Sequence, residues 1–554
     1  MLQARITLEE LSPQASHADL EARLEGVLRF ARGGIDNLER HSPFWGDDTI
    51  GFVTQADKIV VETALLALLA SRVDQPVIRR ESILLASVLQ PFARSERNRV
   101  LLLRFPHTAA SLGIAHVALS RVGNIDDDFD QLLRRALTTG QVDALERLPY
   151  RTMDLGWLRG VLNPDTEPHF DDLLPFSILS SLAHPIYMAE TDAYAVTHAI
   201  MYLTDFGRRP LPATISRSRL TAMVDACLAW NILGGNLDLL GELLISAVLI
   251  RAPWSAYAKI AYTMLTQVWD ELGFLPSLAF EPKHFHSLSG DEASAYVFKH
   301  IYHSTYVGGI LAQVLLGLGE HQAAEFERCD ASCLNLRMLD EYRNAIARAK
   351  AFCAARKGEV NLDAPTNSRP LPSPEPPTAA SLHARTVRRI ATYAGACGRA
   401  GAPWASAIAN IPTIGQEELS LVLSDALIIQ AARDYNLPVL MAALLDRADS
   451  GLPPSTTLLE GGAFLARQQV PSGAIGAHFV NAANLSAPEA VTATALFADC
   501  LSALDAHLQH YAGQSKTQEE GKTSRRFNHE KSRFGQHALR HDDPTSYRDQ
   551  SSQG

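Results

Sequence analysis

The sequence predicts an all-α protein: a body of stacked helical hairpins, a second, smaller helical block, and a disordered C-terminal tail. Three observations carry this. Apolar residues recur three and four apart through IVVETALLALLASRV, SRLTAMVDACLAWNIL, LDLLGELLISAVLI, AYAKIAYTMLTQVWDEL and EYRNAIARAKAFCAARKG, the spacing that lines one face of a helix. Alternating runs closed by Asn-Gly or Asp-Gly, the mark of hairpin strands, are scarce. Only short Pro/Gly turns separate the helices, and such units must stack to bury their faces.

At 554 residues the chain is too long for one ordinary core, so it holds roughly two to four domains or one repeat-built body. Residues 363–381, DAPTNSRPLPSPEPPTAAS, carry Pro365, Pro370, Pro372, Pro374, Pro376 and Pro377, a density that excludes helix. The expected organisation is a toroid-like or repeat-built body over 1–357, a Pro-rich linker over 358–381, a helical block over 382–512 and a tail over 513–554. The tail is polar, poor in aliphatics and aperiodic. Its GKTS lacks the upstream glycine and preceding strand of a phosphate-binding loop.

Hydrophobic content of 47% with 20% charge is that of a soluble globular protein. A net charge of −11 argues against a general nucleic-acid role. Six cysteines argue against a disulfide scaffold. Cys329 and Cys333, with His321 upstream, lack a second ligand pair and are expected to be structural thiols. MLQARITLEELSPQ has no basic start followed by an apolar run, and the apolar runs are too short to span a bilayer. The expectation is a cytoplasmic protein without a membrane span.

Residues 461–476, GGAFLARQQVPSGAIG, end a helix in glutamine before a glycine turn, and Gln267 with Gly273 echoes this. Gly461, Phe464, Leu465, Gln469 and Gly473 resemble the Gln-Trp repeat of the α/α-toroid superfamily, which includes terpenoid cyclases; Ile475 stands where that repeat has tryptophan. The resemblance implies helical hairpins in a ring, inner helices facing a cavity. ERLPYRTMDLGWL, ETDAYAVTHAIMYLTDFG, GNLDLLGELL and YHSTYVGG, over about residues 140–315, are similar in order and spacing to a bacterial, actinobacterial-type family of helical proteins of unknown function. That likeness implies one domain and brings no reaction, cofactor or substrate.

Placed on a helix, Glu190, Tyr194, His198 and Tyr202 are four apart and share a stripe, with Asp192 beside its start and Asp205 near its end. A surface stripe would carry Lys, Arg and Gln; this one points to a cavity or to core hydrogen bonds. His198 is suited to proton transfer, and Glu190 could set its tautomer. In KHFHSLSGDEASAYVFKHIYHSTYVGG, Tyr296, His300 and His303 share one face and Tyr302 and Tyr306 another. His300 and His303 are spaced to share a metal that His198 or Glu190 would complete, the alternative again being hydrogen bonding. Asp238 and Glu242, one turn apart in an apolar helix, would share a proton if buried, or meet Arg147 or Arg151. Asp126, Asp127 and Asp130 have the D-D-x-x-D spacing of magnesium-diphosphate sites, but they open a helix, where acids cap.

Two functions are compatible with these residues. One is a toroid enzyme of specialised-metabolite biosynthesis, a cyclase or lyase, acting on an apolar small molecule or peptide in a central cavity through Glu190, Asp192, Tyr194, His198, Tyr202, Asp205, Asp238, Glu242, His303 and Tyr306. The other is a non-catalytic helical-repeat scaffold for a peptide or protein.

Overall fold

The computed structural model describes residues 16–45, 53–165, 168–181, 183–317, 336–356, 379–397, 415–475 and 490–511, and no strand forms among them. The N-terminal body contains α1 (His17–Asp36), α2 (Gln55–Ala70), α3 (Pro76–Ala93), α4 (Glu96–Arg104), α5 (Ala109–Arg121), α6 (Asp127–Leu137), α7 (Pro149–Leu162), α8 (Glu190–Leu203), α9 (Arg217–Gly234), α10 (Leu237–Ile250), α11 (Ala256–Leu272) and α12 (Gly290–Gly317). Short polar side chains start several of these. Thr54 and Asp57 form a reciprocal cap on α2, and Asn236 and Ser255 accept from the first turns of α10 and α11. Gly235 and Gly273 end α9 and α11 in the left-handed region. Asp126 caps α6 by accepting from Phe129 N, so the Asp126–Asp130 run serves as a helix start.

Neighbour packing runs α2–α5–α7–α8–α10–α12 and returns to α2, closing a ring of six helices. The six run in one sense: Leu68, Arg121, Val161, Asp205, Leu249 and Val314, one from the C-terminal end of each, line a single cavity. Other helices clad the ring, α1 and α3 against α12 and α2, and α9 and α11 against α10. α10 is buried on every side save Ala247, which matches its uninterrupted apolar sequence.

The C-terminal block comprises α13 (Leu336–Ala355), α14 (Ala379–Cys397), α15 (Gln416–Arg433), α16 (Leu437–Asp449) and α17 (Thr456–Arg467), with a last helix, α18, over 490–511. α15 lies on α9 and α11, and α13 packs with α17. One apolar core runs from Leu20 to Leu508 across both blocks. The seam has polar pins: Tyr257 donates to Asp425 Oδ2 at 2.6 Å, and Arg433 donates to the Pro185 and Met188 carbonyls while lying 3.8 Å over the Trp230 ring. Gln469 explains its own motif. Its amide donates to the carbonyls of Ala345 (3.0 Å) and Gly473 (2.8 Å) and accepts from Arg348 Nε (2.7 Å). Gln267 is exposed and shares none of this. Most of the Pro-rich segment (357–378), the tail from 512, and His321, Cys329 and Cys333 lie outside the described residues.

Candidate functional site

Four ring helices bring ionisable groups to one point. α12 supplies His303, α2 supplies Glu62, α10 supplies Asp238 and Glu242, and α8 supplies Tyr194, Thr197 and His198. His303 is the hub. Its Nδ1 lies 3.2 Å from Glu62 Oε2; its Nε2 lies 3.4 Å from Asp238 Oδ1 and 3.8 Å from Glu242 Oε1. Tyr194 donates to Asp238 Oδ2 at 2.8 Å, and Thr197 donates to Glu242 Oε2. His198 places Nδ1 2.7 Å from the Tyr194 carbonyl and 3.6 Å from Glu242 Oε2. Nδ1 therefore donates to that carbonyl. Tyr150 and Tyr202 flank this ring at 5.7 and 6.2 Å. The imidazoles reach solvent, His198 by a quarter and His303 by a third of their surface, while Glu242 is closed in.

The carboxylates occupy unequal environments. Burial pushes Glu62 up, but the charge and hydrogen bond of His303 and the charge of Lys58 outweigh it and leave Glu62 at about 2. Burial alone would lower His303; Glu62 and Asp238 instead raise it, so the ring is an imidazolium. Asp238 is raised by burial and by Glu242, against the pull of His303. In Glu242, burial is outweighed by His198 and His303, and the carboxyl stays ionised. A proton shared by the pair therefore rests on Asp238. Deeper in the ring, burial raises Asp154 to about 6 despite Arg151 and His198.

The sequence stripe is real but divides among tasks. Tyr194, His198 and Tyr202 face the ring's interior, as do Asp238, Glu242 and His303. Glu190 accepts from Asn236 at 3.0 Å and steadies the start of α10; Glu242, and not Glu190, lies beside His198. Asp192 is half-buried and accepts from Ala189 N at 2.8 Å as a helix cap. Asp205 sits at the ring's other end, held by Arg72 (3.0 Å) and Trp157 Nε1 (2.8 Å). Tyr306 is buried against Thr63 and Phe30. His300 packs at a tilt against Tyr296, 4.4 Å between ring centres. The described group placed to hold a cation is Asp238, Glu242 and His303, without His300, His198 or Glu190. Arg147 and Arg151 do not meet the α10 acids: Arg147 caps Val142, and Arg151 pairs with Asp154. Sequence reasoning missed Glu62 and Asp154. Glu62 carried a signal, as the one acid inside IVVETALLALLA.

The fold and site define a helical-ring protein with a carboxylate–imidazole centre. The family model described as "Domain of unknown function (DUF6895)" matches residues 32–313, more than half of the chain. The chain belongs to that family, and the match takes in all six ring helices save the last turn of α12. No curated protein and no solved structure matches. Among the described residues no helix is long and apolar enough to cross a membrane.

Proposed function

We propose that the chain is an enzyme performing acid–base chemistry on an apolar small molecule or peptide at the centre of its helical ring. One observation carries this: three carboxylates and two imidazoles from four helices converge on a point that solvent reaches. Such a cluster is costly to assemble and is the usual price of function. Asp238 is the proton donor. His198, with Nε2 free, is the base, and Glu242 stabilises its charged form. Tyr150, Tyr194 and Tyr202 supply an aromatic wall suited to an apolar or cationic species. The closed circuit of parallel helices supports an α/α-toroid architecture and, with it, a cyclase or lyase of specialised metabolism. The free thiols of Cys227, Cys353 and Cys500 suit a reducing cytoplasm. The test is chemical. Asp238→Asn, Glu242→Gln and His198→Ala each abolish the product that cells carrying the gene make, read by mass spectrometry of extracts against a gene deletion. Unchanged extracts in all three overturn the enzyme in favour of a peptide-binding scaffold.

A second reading has its own observation. A bare imidazolium–carboxylate contact closes to about 2.8 Å, yet His303 Nε2 stands 3.4 and 3.8 Å from its two carboxylates. About 3.4 Å is the separation of two ligands on one tetrahedral divalent ion at ~2.1 Å. Asp238 Oδ1 is buried without a hydrogen bond, and Glu62 holds Nδ1 as an outer carboxylate holds a ligating histidine. In this reading Asp238, Glu242 and His303 bind a divalent cation that activates water. Calorimetric titration with zinc or manganese decides: one ion per chain, lost in Asp238→Asn, supports it, and no binding removes it.

A further inference from the structure

The C-terminal mouth of the ring holds a second feature, independent of the acidic centre. A cavity of about 840 Å³ opens there. An aromatic layer separates it from the cluster: Trp157, Tyr202 and Phe206 pack on one another at 5.7 to 6.0 Å between ring centres. Among the described residues, five guanidinium groups line the cavity, Arg72, Arg121, Arg208, Arg209 and Arg251, against one carboxylate, that of Asp205. We propose that this mouth binds a multiply charged organic phosphate, its anionic head among the arginines and its apolar part on Trp157, Leu249 and Val314.

Capping explains some of the arginines. Six helix C-termini converge here and favour cations, and Arg121, Arg251 and Arg72 donate to the carbonyls of Val161, Gly207 and Asp205. Capping does not explain the surplus. Each guanidinium offers five donors, and Arg72 and Arg251 spend few of them. Arg208 stands 3.7 Å from Asp205 and is largely exposed. The Arg209 side chain makes no hydrogen bond or ion pair among the described residues. Arg208 and Arg209 also repel Arg72, whose charge burial already disfavours. A multivalent anion satisfies the spare donors, relieves the repulsion and fits the forked geometry of guanidinium.

The experiment titrates inorganic pyrophosphate into the full chain by calorimetry. Saturable binding of one molecule per chain is expected, about tenfold weaker in Arg209→Ala. Arg388→Ala, an exposed arginine on α14, should leave it unchanged. Absence of saturable binding at millimolar pyrophosphate overturns the proposal. Full affinity in Arg209→Ala, or equal weakening in Arg388→Ala, also overturns it, because attraction is then diffuse. Succinate binding as tightly as pyrophosphate overturns the phosphate assignment.

Discussion

Tyr194 shows how much one side chain carries here. Among the described residues its hydroxyl is the one hydrogen-bond donor placed on Asp238, whose other oxygen has none. Tyr194→Phe should cost about 1–3 kcal/mol, read as a lower urea midpoint, and a midpoint unchanged would mean that Asp238 is held by other groups. Asp154 carries a pH signature. Its carboxyl rises from 3.8 to about 6 on folding, burial being the largest cause. The folded chain therefore keeps a proton that the unfolded chain releases. Its contribution is complete below pH 3.8 and is lost as pH rises through 6, on the order of 3 kcal/mol in all. Urea titrations between pH 4 and 6.5 should show a shallower fall for Asp154→Asn than for the parent chain. Equal slopes would remove the assignment.

At the scale of the element, the turn after α17 is the sharpest case. Gly473 has φ +92°, and a Cβ there would stand 2.6 Å from the Arg348 carbonyl. Gly473→Ala should lower stability by roughly 1–3 kcal/mol. Gln469→Ala, which strips three hydrogen bonds from the same turn, should cost a similar amount. Thermal melts of both variants check this, and a parent-like melting temperature in either contradicts the role given to the turn. The glutamine–glycine spacing was legible in the sequence. The Gln267 echo was not a repeat of the same device, because spacing does not say whether a backbone carbonyl stands within reach. The stripe on α8 divides for a related reason. Four-residue spacing places Glu190 and His198 on one face, but Glu190 sits at the helix start and turns to Asn236.

At the scale of the molecule, α15 covers α9 and α11, and the core is continuous across the Pro-rich stretch. A chain ending at residue 357 should expose Trp230 and Tyr257, melt earlier and self-associate, as light scattering would reveal. A monomer as stable as the full chain would show the body to be self-sufficient. The ring's polarity also belongs to this scale. Six parallel helices hold an acidic centre and an arginine mouth apart along their length, so that Glu62 and Arg72, or Glu242 and Arg251, close in sequence, serve different sites.

The sequence by itself determined the helices, because three- and four-residue apolar spacing is a property of neighbouring residues. It also marked Asp238, Glu242, His198 and His303, because ionisable groups inside apolar runs are conspicuous wherever they fall. Only the tertiary structure decided which of them meet. Glu62 and His303 are far apart in the chain, and ring closure alone brings them to 3.2 Å. It likewise took Arg147 and Arg151 away from the α10 acids and gathered five arginines at one mouth. Spacing within an element fixes which residues share a face; the neighbour that face meets is set by packing between elements, which no local pattern encodes.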